Sequence, residues 1–386
     1  MIEQPPPQPP LPAGESNAPP AAQGPGVPPP ASHPLVHAGR TAELLAISLV
    51  NLLLKVVTVG VYHFWAKTRV RRYVWSHTYF AGEAFEYTGR GLELLLGYGV
   101  AMLVIVPLVA GLNGLQLWAE THPFLVLGVS LAAYPVFVFL TGFATFSAYR
   151  YLLSRTRWRS IRFALTGRAR DHGARLLLYG LLTTVTFGLY LPFLRNRMLH
   201  HLVNHARFGS ERFRYDGPDD VLLRRYLLCG ALMVGVLVLV SAVMVGIGFL
   251  VLPYARELEP ESLAALAPVA VVVATIVLLL PGMAVPWLWY KGGELRHFVA
   301  HTRLGEARFA LELPTGRYLW LALSSYAALL FTLGLAYPWV VVRTARAIAR
   351  HLRMEGHLDL EAIQQSAALA PRVGEGLADA FDLGAI

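Results

Sequence analysis

Four stretches of this chain run free of Asp, Glu, Lys and Arg for longer than a bilayer is thick: Leu94 to Leu117, Phe124 to Ala148, Leu227 to Tyr254 and Leu263 to Tyr290. As helices they rise 1.5 Å per residue, enough to cross ~30 Å of hydrocarbon. We therefore read spans over about 92–117, 124–148, 227–254 and 263–290. Composition agrees. Charged residues are 15 % of the chain and hydrophobic ones 55 %, whereas a soluble domain is roughly a quarter charged. The expected class is an all-α multi-pass membrane protein.

Three further apolar stretches, Leu44 to Trp65, Leu176 to Leu194 and Tyr318 to Val342, are interrupted at Gly60, Gly188 and Gly334. Each is flanked by Arg or Lys at both ends: Arg40 and Lys67, Arg175 and Arg195, Arg317 and Arg343. If all three crossed the membrane, strongly basic loops would fall on opposite faces, against the charge bias of membrane proteins. If instead they enter and leave on the cytoplasmic side, every basic loop is cytoplasmic and the glycines are turns of re-entrant or interfacial elements. Four spans plus three re-entrant elements is the preferred reading; seven spans is the alternative. Outer connections near Glu120-Thr-His-Pro123 and Arg256-Glu-Leu-Glu-Pro260 close the two long hairpins.

A repeated word organises the rest. Its fullest copy is Gly60-Val-Tyr62-His-Phe-Trp65-Ala-Lys67-Thr-Arg69, then Arg71-Arg72, His77-Thr78, Gly82, Phe85 and Tyr87-Thr-Gly89. Gly188, Tyr190, Phe193, Arg197, His205, Phe213, Tyr215 and Gly217 repeat it in register, and Gly334, Trp339, Arg343, Arg346, His351 and Gly356 repeat it again. Weaker copies surround Tyr151 to Arg168 and Lys291 to Phe309. The second half of the word alternates about a glycine and reads as a short hairpin. Five such hairpins on one membrane face could pair into a small cytoplasmic sheet.

The domain reading follows: a disordered Pro-rich tail over 1–39, a first membrane repeat over 40–175 and a second over 176–317. A third re-entrant element with its basic module covers 318–362, and a flexible tail covers 363–386. With two spans in each half, the tandem repeats would be parallel. No basic n-region precedes the proline run, so no cleaved signal peptide is expected. The single cysteine, Cys229, excludes an internal disulfide or a thiolate cluster.

The run Thr58-x-Gly60-x-Tyr62-x-x-Trp65-Ala-Lys67-x-Arg69-x-Arg71-Arg72-Tyr73, followed by Gly82-x-x-Phe85-x-Tyr87-Thr-Gly89-x-Gly91-x-Glu93-Leu94, closely resembles the YjgN-like proteins of bacterial inner membranes. These are also called the domain-of-unknown-function-898 family. The resemblance covers roughly 40 to 360 and implies a multi-pass inner-membrane protein of unassigned activity; the charge bias puts the basic loops and the C-terminus in the cytoplasm. It carries over no catalytic or ligand residue. Phe193 stands where the first copy has tryptophan, and Asp359 where the third copy should have the equivalent of Phe85.

No nucleophile motif, phosphate loop or paired carboxylate is present, so no enzyme and no cofactor are expected. His201/His205 and His297/His301 have the i, i+4 spacing of half a zinc site, but arginines surround them and no metal is expected. Glu83 and Glu86 are expected to pair with Arg69 and Arg72. Lys55 is an ionisable residue inside an apolar run. The expected function is binding or passage of a small solute, anionic by charge, or of a lipid at the repeat interface. The candidate contacts are Arg69, Arg72, Arg197, Arg343, Arg346 and Lys55, with Gly60, Gly188 and Gly334 making the turns. The competing reading is a membrane-anchored scaffold whose basic hairpins dock a partner or anionic headgroups. The net charge of +9 is spread over the connecting segments, and nucleic acid is not an expected partner.

Overall fold

The structure, a computed structural model, describes residues 34–118, 122–255, 260–356 and 363. The outer connections at 119–121 and 256–259, the residues before 34, and those after 356 other than Ile363 lie outside the described residues.

Four long helices carry the apolar stretches: α3 Gly91–Trp118, α4 Pro123–Arg155, α7 Asp220–Ala255 and α8 Pro260–Ala300. All four contain segments apolar enough and long enough to cross a membrane. At one end they continue past their apolar runs. Arg150 and Arg155 in α4, and Lys291 and Arg296 in α8, are helical residues beyond the hydrocarbon signal. Three shorter pairs complete the helical part: α1 Thr41–Val57 with α2 His63–Ser76, α5 Ala169–Val185 with α6 Leu191–Val203, and α9 Thr315–Phe331 with α10 Tyr337–His351.

The class expected from sequence needs correction: the chain is not all-α. Ten strands form a sheet in chain order. They are β1 Leu35–His37, β2 Thr78–Phe80, β3 Glu83–Tyr87, β4 Thr156–Trp158, β5 Ile161–Leu165, β6 Ala206–Phe208, β7 Glu211–Tyr215, β8 Thr302–Leu304, β9 Ala307–Leu311 and β10 Leu352–Glu355. Every strand pairing among the described residues is antiparallel, from Leu35↔Phe80 through Phe85↔Trp158, Phe163↔Phe208 and Phe213↔Leu304 to Met354↔Phe309. The hairpins read from the alternation about each glycine are these strands, paired into one sheet.

The repeated word specifies how each helix pair stops and hands over to a hairpin. His77, His205, His301 and His351 end their helices by turning Nδ1 onto the carbonyl four residues back, at 2.7–2.8 Å in all four. The i, i+4 histidines are thus spent on helix ends. Next, five backbone amides join each hairpin to the following helix end: Ala38 to His77 O, Thr88 to Arg155 O, Thr166 to His205 O, Asp216 to His301 O and Glu312 to His351 O, at 2.8–3.3 Å. A side chain of each helix also donates to the carbonyl where the hairpin leaves the sheet. These are Arg72 to Gly89, Arg150 to Gly167, Asn196 to Gly217, Arg296 to Leu313 and Arg346 to Gly39. Every helix pair therefore starts and finishes on the sheet.

The fifth module is shared between the two ends of the chain: β10 pairs with β9, β1 pairs with β2, and Arg346 of α10 bonds Gly39 just after β1. Leu35-x-His37-x-Gly39 occupies the place that Phe85-x-Tyr87-x-Gly89 holds in the first complete hairpin. The glycine follows from packing: a Cβ at Gly89 would lie 2.4 Å from the Tyr87 hydroxyl, at Gly217 2.1 Å from that of Tyr215, and at Gly39 2.6 Å from the His37 ring. β1 holds the second-strand position of the last module, and Asp359 lies outside the described residues. The tail expected over 1–39 accordingly yields its last residues to the sheet. Glu83 bonds Arg159 at 2.9 Å, not Arg69 or Arg72, because the hairpin tip points away from the helices.

At the sheet-side ends of α5 and α6, outside the four spanning helices, His172 and His201 face each other Nδ1 to Nδ1 at 3.0 Å. Both are buried against Phe146. Burial first, then the neighbouring histidines and Arg175, push their pKa values down to about 3 and about 4; Asp171 opposes this weakly at His201. An unfolded imidazole protonates near 6.5, so protons bind preferentially to the unfolded chain as pH falls. Thermal stability should therefore decline progressively from about pH 6.5 towards pH 4. Melting the solubilised protein across that range, beside a His172→Phe/His201→Leu variant expected to give a flatter profile, checks this.

Candidate anion-binding cleft

The three short pairs share one turn. Val59, Phe187 and Leu333 have φ near +50°, and Gly60, Gly188 and Gly334 follow at +89°, +89° and +88°. The glycine amides reach back to Lys55, Thr183 and Leu329 carbonyls at 2.7 Å in each case, the pattern of a helix ended by a left-handed residue. Thr58, Thr186 and Thr332 donate their hydroxyls to the carbonyl four residues back and accept the amides of Tyr62, Tyr190 and Ala336. The Thr-x-Gly interruption is thus a complete chain reversal.

Ring closure sets the first pair beside the last. At the sheet end Leu44, Tyr73, Val341 and Val342 pack together with Ile47 and Val70. Farther toward the turns, α1, α2, the α9–α10 turn and α10 surround a cleft of about 600 Å³. One helix face of α1 supplies Ser48, Asn51 and Lys55, and α2 supplies Lys67 and Arg71 one turn apart. Leu45, Leu49, Leu52, Leu333 and Leu335 complete much of the apolar wall. No Asp or Glu lines it.

The polar groups are held in place. Asn51 is buried, its amide nitrogen 3.5 Å from the Ala66 carbonyl and its oxygen 3.4 Å from Arg69 Nη1. Arg69 also donates to the Tyr62 hydroxyl at 3.0 Å. Arg71 is buried, donates to the Tyr87 hydroxyl at 3.5 Å and stands 5.8 Å from that ring's centre. Glu43, on the same helix pair, is turned to Tyr73 and Arg40 instead of the cleft. Lys55 shows no ion pair among the described residues.

Of the contacts expected from sequence, Lys55 and Gly334 line this cleft and Arg69 braces it. Arg343 and Arg346 border a smaller pocket of about 280 Å³ with Arg350. There Arg343 donates to Ser324 Oγ at 2.6 Å and Arg346 to Gly39 O. Arg72 serves the Gly89 carbonyl, and Arg197 stands on the second pair, 3.8 Å from Asp219 and against Tyr179 and Tyr190. The six do not form one site. Ser48, Asn51, Lys67 and Arg71 escaped the sequence reading, although Ser48, Asn51 and Lys55 form a polar i, i+3, i+7 stripe that marks one helix face.

A family model described as bacterial protein of unknown function, DUF898, matches residues 32–380. The chain belongs to that family. Among curated proteins, the inner membrane protein YjgN of Salmonella typhimurium is 22 % identical over 374 residues, which cover 85 % of this chain and 90 % of that protein. No solved structure matches. The DUF898 match takes in all ten strands, including β1, and all three glycine turns.

At Gly334 an added Cβ would meet nothing within 4 Å, so only the left-handed backbone opposes a side chain there. Gly334→Ala should cost about 1–2 kcal/mol, seen as a lower melting temperature in detergent with the assembled ring retained.

Proposed function

We infer that this chain is a bacterial inner-membrane protein that binds, or lets pass, an anionic lipid or small anionic solute at the junction of its first and last helix pairs. One observation carries the reading: Lys55, Lys67 and Arg71 line a cleft that has no carboxylate and is walled by exposed leucines. A lipid-facing cleft of one charge favours a phosphate-bearing headgroup, with its acyl chain against Leu49, Leu52 and Leu335. The activity is binding or gating and uses neither cofactor nor covalent chemistry.

The orientation follows the distribution of charge. Basic residues gather at the sheet ends of α4, α5, α7, α8, α9 and α10, which the charge bias puts in the cytoplasm, together with the C-terminus. Val59, Phe187 and Leu333, exposed by 92 %, 97 % and 93 % at the three turns, would enter the hydrocarbon, making the short pairs re-entrant elements. The order short pair, long pair, short pair, long pair, short pair supports two parallel tandem halves, about 40–175 and 176–317, with the last pair closing the ring.

A second reading has its own observation. The hairpins set arginines directly opposite one another at Arg157↔Arg162, Arg207↔Arg212 and Arg303↔Arg308. Like charges so placed are destabilising, which favours an outer sheet face that meets anionic headgroups or an acidic partner.

Reconstituting the full chain in nanodiscs and measuring bound phosphatidylglycerol by native mass spectrometry tests the leading reading. Lys55→Glu/Lys67→Glu should lower its retention at least five-fold while leaving phosphatidylcholine retention unchanged. Equal retention of phosphatidylglycerol by variant and wild type would rule the cleft out; retention lost only on Arg207→Glu/Arg212→Glu would move the site to the sheet.

A further inference from the structure

The sheet has two chemically opposite faces. One carries the arginine pairs. The other lines a cavity of about 420 Å³ with residues from all ten strands, including Leu35 of β1 and Leu352 and Met354 of β10. The first and last strands thus share one cavity wall. This cavity is separate from the cleft, and the proposal below does not depend on the function argued for that cleft.

The cavity is built in two tiers, one side chain per module. Phe85, Phe163, Phe213 and Phe309 form one tier, with Leu35 from β1 as its fifth member. Phe80, Trp158, Phe208, Leu304 and Met354 form the other. Adjacent rings of the first tier stand 6.4 Å apart between centres, three times in succession. The rings therefore pack on their neighbours around the wall, and the middle stays open although the residues are large. A wall of ten strands is longer than the roughly eight that side chains just fill in a barrel.

No charged residue lines the cavity among the described residues. Its two hydroxyls are already engaged: Thr78 Oγ1 donates to Val74 O at 2.7 Å, and Thr156 Oγ1 donates to Leu152 O at 2.9 Å and accepts from Trp75 Nε1 at 3.1 Å. The Trp158 ring nitrogen lies 3.2–3.3 Å from the carbonyls of Phe80 and Glu83. Nothing is left to hold a headgroup, and little to hold water. Ile363, only 6 % exposed, packs into the same cluster from beyond the last strand, adding another aliphatic group to the wall. Protein interiors seldom leave voids much larger than a water molecule, and an engineered apolar cavity of ~150 Å³ already accepts benzene. A space of this size and chemistry fits a ligand pocket for one thing: a flexible hydrocarbon chain.

We propose that the cavity inside the ten-stranded sheet is a binding site for a single hydrocarbon chain, held by the two aromatic tiers with its polar end outside. The chain belongs either to a free fatty acid or to a phospholipid whose tail leaves the bilayer.

Photo-crosslinking of the full protein tests this. The protein is reconstituted in phosphatidylcholine nanodiscs with a diazirine-bearing palmitic acid in one arm, and with phosphatidylethanolamine bearing the diazirine on an acyl chain in the other. Adducts are mapped by mass spectrometry. Expected are adducts on the peptides containing Phe85, Phe163, Phe213 or Phe309, besides the lipid-contact adducts on α3, α4, α7 and α8. Leu35→Phe gives the first tier its fifth ring and Leu304→Phe gives the second tier a fourth. Together they should reduce the strand adducts at least three-fold while the helix adducts, which report insertion, stay constant. Lys55→Glu/Lys67→Glu should leave the strand adducts unchanged. Labelling by the fatty acid alone, or by the phospholipid, supports the site and identifies the source of the chain. Adducts confined to the helices in both arms overturn it, as do strand adducts indifferent to the filled cavity.

Discussion

The rest of the molecule depends on bringing the first strand of the chain, β1, onto the helix of the last module, so that β1 and β10 border one cavity. Four continuous hairpins leave two open edges, and exposed edges invite pairing with other chains. Here the Ala38 amide takes the place beside His77 O that Thr88, Thr166, Asp216 and Glu312 take in the other modules. The Arg346 guanidinium holds Gly39 O across nearly the whole length of the chain. Because every helix pair starts and ends on this ring, closure also decides which pairs are neighbours. The cleft containing Lys55, Lys67 and Arg71 lies at the seam where the first pair meets the last.

The two regions proposed to bind ligands have complementary chemistry. The seam cleft offers cations beside bare leucines and suits the headgroup end of an amphiphile. The interior of the sheet offers aromatic rings and no free polar group, and suits the other end. Separation of the two characters comes from strand alternation: in β4, β5, β6, β7 and β9 an arginine is followed by an aromatic, which turns a single short strand into both a basic outer wall and an apolar inner one. Ten strands then leave that inner wall too wide to fill with its own side chains.

How far the sequence revealed this can be judged residue by residue. The four long helices were legible because absence of charge over more than twenty residues has few other meanings. Their ends were not, because Arg150, Arg155 and Lys291 continue the helices after the apolar signal stops. The five copies of the word were legible, as were a hairpin in their second half and the pairing of such hairpins into one sheet; the place of β1 in that sheet was not. The shared module was hidden by the order of the chain. Leu35-x-His37-x-Gly39 matches Phe85-x-Tyr87-x-Gly89 in spacing, but it lies before the first module instead of after the last. Lys55 stood out against apolar neighbours, whereas Lys67 and Arg71 merged with the other cations of an interfacial helix.

The most direct test of the ring is hydrogen–deuterium exchange at the five amides that close it, resolved to single residues in the reconstituted protein. The account predicts that the Ala38 amide is protected to the same order as those of Thr88, Thr166, Asp216 and Glu312. Exchange at Ala38 as fast as in an unstructured chain, with the other four protected, would mean that β1 does not complete the fifth module, and the seam cleft and the cavity wall would both have to be redrawn.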